Sequence, residues 1–113
     1  MRDYHVMREN HREELAGWVQ AALRGAASPT GAAKRHGVNH GTMSRLARRF
    51  RGVRGTPPRT PETYDEIRER HEREVLEWMR SMLEEYGSVV QVAENCGVNR
   101  GTVSRIARRL RDA

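Results

Sequence analysis

Apolar side chains recur every three or four positions at the start of the chain, at Tyr4, Met7, Leu15, Trp18 and Ala22, with His11 in the gap. The same rhythm returns at Tyr64, Ile67, His71, Val75, Trp78 and Met82. This spacing marks one face of an amphipathic helix of roughly 20 residues, and it predicts long helices over 2–24 and 62–86. The Trp and Met stripe fits a helix-packing core. Thr60 before Pro61, or Thr63 with Glu66 as a capping box, signals the start of the second helix. Gly25 and Gly87 mark the two exits.

A shorter helix follows each long one. Ser28-Pro29 supplies an N-cap and a first-turn proline, and Ser88 with Gln91 supplies a capping box. These helices run to His36 and Cys96, where Gly37 and Gly97 provide the left-handed residue that ends them. Asn39 and Asn99 then cap a third helix reaching about Phe50 and Leu110. The predicted fold is all-α, built from two tandem three-helix repeats.

The repetition extends to residue identity. A shift of 60 aligns 1–53 with 61–113 without a gap, and about 20 of the 53 pairs are identical. They include Tyr4/Tyr64, His11/His71, Trp18/Trp78 and Ala33/Ala93, and most of the string Gly37–Arg51 against Gly97–Arg111. Such ungapped self-similarity is the signature of internal duplication. The expected organisation is a repeat over 1–51, a linker over 52–61 and a repeat over 62–113. The linker holds Pro57, Pro58, Pro61, Gly52 and Gly55, extended where the prolines fall. It reads as a solvated tether, with Arg54 and Arg59 as an alternative phosphate or minor-groove contact.

Charge sharpens this picture. The chain of 113 residues carries a formal +6 and a pI near 10.6, which suits a polyanionic partner, nucleic acid before anionic membrane. Residues 1–56 hold 11 basic and 4 acidic side chains, giving +7; residues 57–113 hold 10 and 11, giving −1. In both halves the third helix and the residues just after it are strongly basic, with five arginines and no acid over 45–54 and again over 100–111. Hydrophobic residues are 36% of the chain, thin for a unit of roughly 50–60 residues that buries only about 60% of its unfolded surface. Each repeat is therefore expected to fold poorly alone.

A helix-turn-helix needs a small residue where its helices cross, a glycine at the turn and apolar anchors on both helices. Ala33 and Ala93 stand four residues before Gly37 and Gly97. Val38 and Val98 follow the glycine directly, then Met43 and Val103, then Leu46 and Ile106. That register turns Asn39, His40, Thr42, Ser44, Arg45 and Arg48 outward, with Asn99, Arg100, Thr102, Ser104, Arg105 and Arg108 as their counterparts. Such side chains bond base edges and phosphates.

The string Gly97-Val98-Asn99-Arg100-Gly101-Thr102-Val103 resembles the turn and recognition-helix start of the Fis family, the bacterial factor for inversion stimulation and related activator C-termini. The first copy is similar, with His40 in place of the arginine. The resemblance covers about 20 residues per repeat. It implies a trihelical unit with its last helix in the major groove, and DNA contacts from Asn99, Arg100, Thr102 and Arg105, and by repeat from Asn39, Thr42 and Arg45. Fis presents two motifs by dimerising, whereas this chain carries both covalently. Ser44 and Ser104 occupy a position that is basic in Fis, so its shape-dominated binding is not carried over.

The expected function is sequence-specific binding of double-stranded DNA by a transcriptional regulator, a repressor before an activator. Two recognition helices would sit about 34 Å apart in successive major grooves. Arg45 and Arg105 are the candidates for guanine contacts, while Arg48, Arg49, Arg108 and Arg109 are phosphate clamps. The long helices 2–24 and 62–86 also offer a homodimer surface. The rival readings are the DNA-binding arm or accessory factor of a transposase or recombinase, a nucleoid-architectural or bridging protein, and a protein- or RNA-interaction module. Sequence-specific RNA readers expose stacking aromatics, and most of the six aromatic residues here lie on the apolar stripe.

No enzymatic function is expected, because the chain lacks an acidic triad at metal spacing, a nucleophile paired with a base, and a glycine-rich phosphate loop. No cofactor or metal is expected either; His11 and His71 fall on the stripe without ligand-spaced partners. The one cysteine, Cys96, permits no disulfide within the chain, and no apolar run approaches the ~18–20 residues of a membrane span. The expected location is cytoplasmic, on the nucleoid.

Overall fold

Short-range polar signals set the helix boundaries. The computed structural model describes residues 3–26, 28–53, 55–56 and 63–113, and among them the fold is all-α, with six helices and no strand. Asp3 caps α1 (Tyr4–Arg24), its carboxylate accepting from the His5 amide at 2.8 Å. Ser28 Oγ accepts from Gly31 N at 3.1 Å ahead of α2 (Pro29–His36). Gly37 then takes φ +66°, and Asn39 caps α3 (His40–Arg49). Thr63 and Glu66 close a capping exchange: the Glu66 amide donates to Thr63 Oγ1 at 3.2 Å, and that hydroxyl donates to Glu66 Oε1 at 3.1 Å. They open α4 (Tyr64–Tyr86); α5 (Val89–Cys96) and α6 (Arg100–Asp112) follow, with Gly97 at φ +65° between them.

Three boundaries differ from the sequence expectation. The long helices start at Tyr4 and Tyr64, after their capping residues; position 2, position 62, Thr60 and Pro61 lie outside the described residues, as do Arg54 and Arg59. The third helices are unequal. Phe50 ends α3, its amide donating to Leu46 O at 3.0 Å, and Gly52 turns the chain at φ +70°. At the position matching Gly52 stands Asp112, and α6 continues to it.

The chain forms two compact units, one of Glu9–Arg68 and one of Met1–Arg8 with Glu69–Ala113. These units do not follow the repeat boundary. In the first, Leu15, Trp18, Val19, Ala33, Met43 and Phe50 are buried together with Ile67, and Tyr64 packs against them. In the second, Val75, Trp78, Met79, Val92, Val103 and Ile106 are buried together with Tyr4 and Met7. The single apolar stripe of each long helix is thus shared between two cores. Each tryptophan meets a tyrosine from the other repeat: Tyr4 and Trp78 have ring centroids 5.0 Å apart, Trp18 and Tyr64 5.5 Å. Tilted pairs at this separation suit the ring quadrupoles.

Val53 and Thr56 of the linker are held against the fold and do not run as a solvated tether. The Thr56 amide donates to Glu13 O at 3.1 Å, Gln20 Nε2 donates to Val53 O, and Val53 packs on the core of Trp18 and Met43. Two glycines permit the crossing. A Cβ on Gly17 would collide with Thr56 O, and one on Gly55 would lie 2.5 Å from Gly17 N. At the position matching Gly17 the second repeat has Glu77, so only the first long helix can take a backbone strap here.

Candidate nucleic-acid interface

The turn before α3 and the turn before α6 are built alike. Left-handed Gly37 lets Val38 N reach Ala33 O at 3.0 Å, and Gly97 lets Val98 N reach Ala93 O at 3.2 Å. These bonds satisfy helix-end carbonyls that would otherwise lack partners. Ala33 and Ala93 are buried where the helices meet. Met43 and Val103 are each 0% exposed, and Leu46 and Ile106 are buried one turn later. α3 and α6 are thereby fixed with one face inward.

The opposite face gathers the sequence-predicted positions. Asn39, His40, Arg45, Arg48 and Arg49 are exposed on α3, and Asn99, Arg100, Ser104, Arg105, Arg108 and Arg109 on α6. Thr42, Ser44 and Thr102 are half-buried instead of fully outward. The hydroxyls of Thr42 and Thr102 are engaged by a guanidinium one turn on. Arg45 Nη2 donates to Thr42 Oγ1 at 3.3 Å, and Arg105 Nη2 donates to Thr102 Oγ1 at 3.3 Å. The identical Thr–Arg pair in both copies holds each guanidinium along its helix and leaves its other N–H groups outward.

Asn39 and Asn99 spend their side-chain oxygen locally. Asn39 Oδ1 accepts from Gly41 N at 2.8 Å and Thr42 N at 3.4 Å; Asn99 Oδ1 accepts from Gly101 N at 2.8 Å. Gly41 and Gly101 allow the close approach, since a Cβ there would sit 3.2 and 3.1 Å from that oxygen. Capping leaves the amide NH₂ of each Asn as the donor group for a ligand.

The two copies differ in detail, and these differences were not legible as contacts. His40 Nε2 lies 2.8 Å from Thr30 Oγ1 on α2. At the matching positions stand Arg100 and Val90, and valine offers no hydrogen bond. Arg109 Nε is ion-paired with Glu72 Oε1 at 2.8 Å, so one expected phosphate clamp already has a carboxylate. The matching position in the first repeat is Arg12. Arg49 instead lies over the Phe50 ring, 5.0 Å from its centroid. His5, exposed at the start of α1, places Nε2 3.0 Å from Gly97 O and so touches the second turn. Pattern reading missed Thr30, Glu72 and His5 because each acts across a tertiary contact.

No protein-family model matches the chain, and comparison with curated proteins and with solved structures gave no significant match. Among the described residues, no group of three or more His, Cys, Asp and Glu side chains is placed to hold a metal ion, and no helix is long and apolar enough to cross a membrane.

Proposed function

We propose that this chain binds double-stranded DNA in a sequence-specific way and regulates transcription, more as a repressor than as an activator, with one half-site read by α3 and the other by α6. The observation that carries this reading is the duplicated constellation itself. A buried Ala, a left-handed Gly and an Asn cap precede a helix that carries a Thr–Arg pair, whose inner face is locked and whose outer face is polar and basic, twice. In helix-turn-helix proteins the residues at the start of the second helix meet base edges in the major groove. Asn39, Thr42 and Arg45, with Asn99, Arg100, Thr102 and Arg105, occupy those places. The likeness of the Gly97–Val103 string to the Fis family supports the same reading.

Fluorescence-anisotropy titration against random duplex, single-stranded DNA and RNA, followed by site selection on duplex, tests it. Duplex is expected to bind best, and the logarithm of affinity is expected to fall linearly with the logarithm of salt as counterions are released. A flat salt response, or equal binding to all three polymers, would refute it.

A further inference from the structure

The two basic faces share a plan but not a charge, and the difference is concentrated. From Leu15 to Pro61 the sequence has no acidic residue at all. The last turn of α2 ends Lys34-Arg35-His36, all exposed, whereas the last turn of α5 reads Glu94-Asn95-Cys96. The first helix of such a pair runs along the sugar–phosphate backbone while the second enters the groove. A cationic end on α2 and an acidic one on α5 therefore act on phosphates with opposite sign.

Contacts on the outer faces point the same way. His40, at the base-reading start of α3, is tied to Thr30. Arg100, at the same place on α6, has no side-chain partner among the described residues, and the position matching Thr30 holds Val90, which offers no hydrogen bond. A free guanidinium at that place can take guanine O6 and N7 bidentately, which a histidine held by a threonine cannot. Further along, Arg109 is ion-paired with Glu72, while Arg49 meets no carboxylate among the described residues and lies on an aromatic ring.

We infer that the two repeats divide the work of binding unequally: α2–α3 is the stronger phosphate anchor and reads its half-site loosely, and α5–α6 is the more discriminating reader, with Arg100 adding a base contact that the first half lacks. This rests on the DNA-binding reading above and adds to it an asymmetric site, one half-site degenerate and the other strict. Lys34 supplies the anchor's free charge. Arg35 is held in place by donating to Gly25 O at 2.5 Å, at the exit of α1, and remains exposed.

Exchange of the α2 and α5 ends in the full chain tests the division. All four positions are exposed, and circular dichroism checks that each variant folds. Lys34→Glu with Arg35→Asn is expected to weaken selected and random duplex by the same factor and to flatten the salt slope by about 2. Glu94→Lys with Asn95→Arg is expected to tighten both and steepen the slope by a similar amount. Arg100→Ala is expected to erase preference at one base pair of one half-site, at least tenfold in relative affinity, while His40→Ala is expected to weaken selected and random duplex alike. Equal loss of base preference from His40→Ala and Arg100→Ala would overturn the division while leaving DNA binding standing. So would a sequence-dependent effect of the Lys34/Arg35 exchange. Absence of binding to any duplex would overturn both readings.

Discussion

Ile67 belongs by sequence to the second repeat and by packing to the core of the first, which makes Ile67→Ala a sharp test of the exchanged helix starts. The side chain is 3% exposed and is buried with Leu15, Trp18 and Val19. Substitution removes three carbons, worth about 2.4 kcal/mol at about 0.8 kcal/mol per buried methylene. The cavity left behind adds about 24 cal/mol per Å³ that fails to collapse, bringing the expected loss to about 3 kcal/mol. Against a total of about 5–15 kcal/mol for a small protein this is a large fraction. With a urea slope near ~2 kcal/mol/M, the unfolding midpoint should fall by about 1.5 M. Tryptophan emission in a Trp78→Phe background places the reporter at Trp18, in the same core. Val6 on α1, 54% exposed, is the control: Val6→Ala should cost less than about 0.5 kcal/mol. If Ile67→Ala costs no more than Val6→Ala, the start of α4 does not complete this core. By the same reasoning a fragment of residues 1–56, lacking Tyr64 and Ile67, should give no cooperative melt.

Gly17→Ala should destabilise by about 1–3 kcal/mol, because its methyl would collide with the Thr56 carbonyl of the strap. Gly37→Ala meets nothing within 4 Å and should lose only the roughly 1–2 kcal/mol of left-handed strain; thermal melts compare the two, and a neutral Gly17→Ala would refute the strap. Arg105→Ala should weaken specific DNA binding by about 1–3 kcal/mol and relax one position of a half-site; unchanged preference in a binding-site selection would remove it as a base reader. Burial first, then the negative charges of Glu85 and Asp3, push the Cys96 thiol above its usual range. Because the folded state holds the proton more tightly, this group's contribution to stability is intact below the ordinary thiol pKa and is lost as pH rises through the raised value. Alkylation of the folded chain by iodoacetamide at pH 8 should accordingly be slower than that of the urea-unfolded chain, and equal rates would count against burial.

Much of this architecture could be read from local pattern because its causes are local. Ser28, Ser88, Asn39 and Asn99 cap where their side-chain oxygens reach amides two or three residues on, and Gly37 and Gly97 turn because only glycine takes positive φ without strain. The inward anchors Met43, Leu46, Val103 and Ile106 follow from helical period alone, and so does the exposure of Arg45, Arg48, Ser104, Arg105 and Arg108, whereas Thr42, Ser44 and Thr102 are half-buried. The ungapped shift of 60 carries the order long helix, short helix, basic helix that α1 to α3 and α4 to α6 follow.

What the pattern could not decide was partnership between distant segments. Periodicity says that Tyr4, Met7, Tyr64 and Ile67 face inward; it does not say into which core, since the two stripes are near-copies with the same chemistry. Gly17 and Gly55 look like ordinary helix and linker glycines until the strap brings their backbones together. Thr30 beside His40 and Glu72 beside Arg109 lie 10 and 37 positions apart, beyond the three- or four-residue reach of helical spacing. The sequence by itself determined which residues face in and which face out, because that is a one-dimensional property of a helix. Only the tertiary structure decided which inward faces meet and which outward charges are already paired, because those depend on where the chain returns in space.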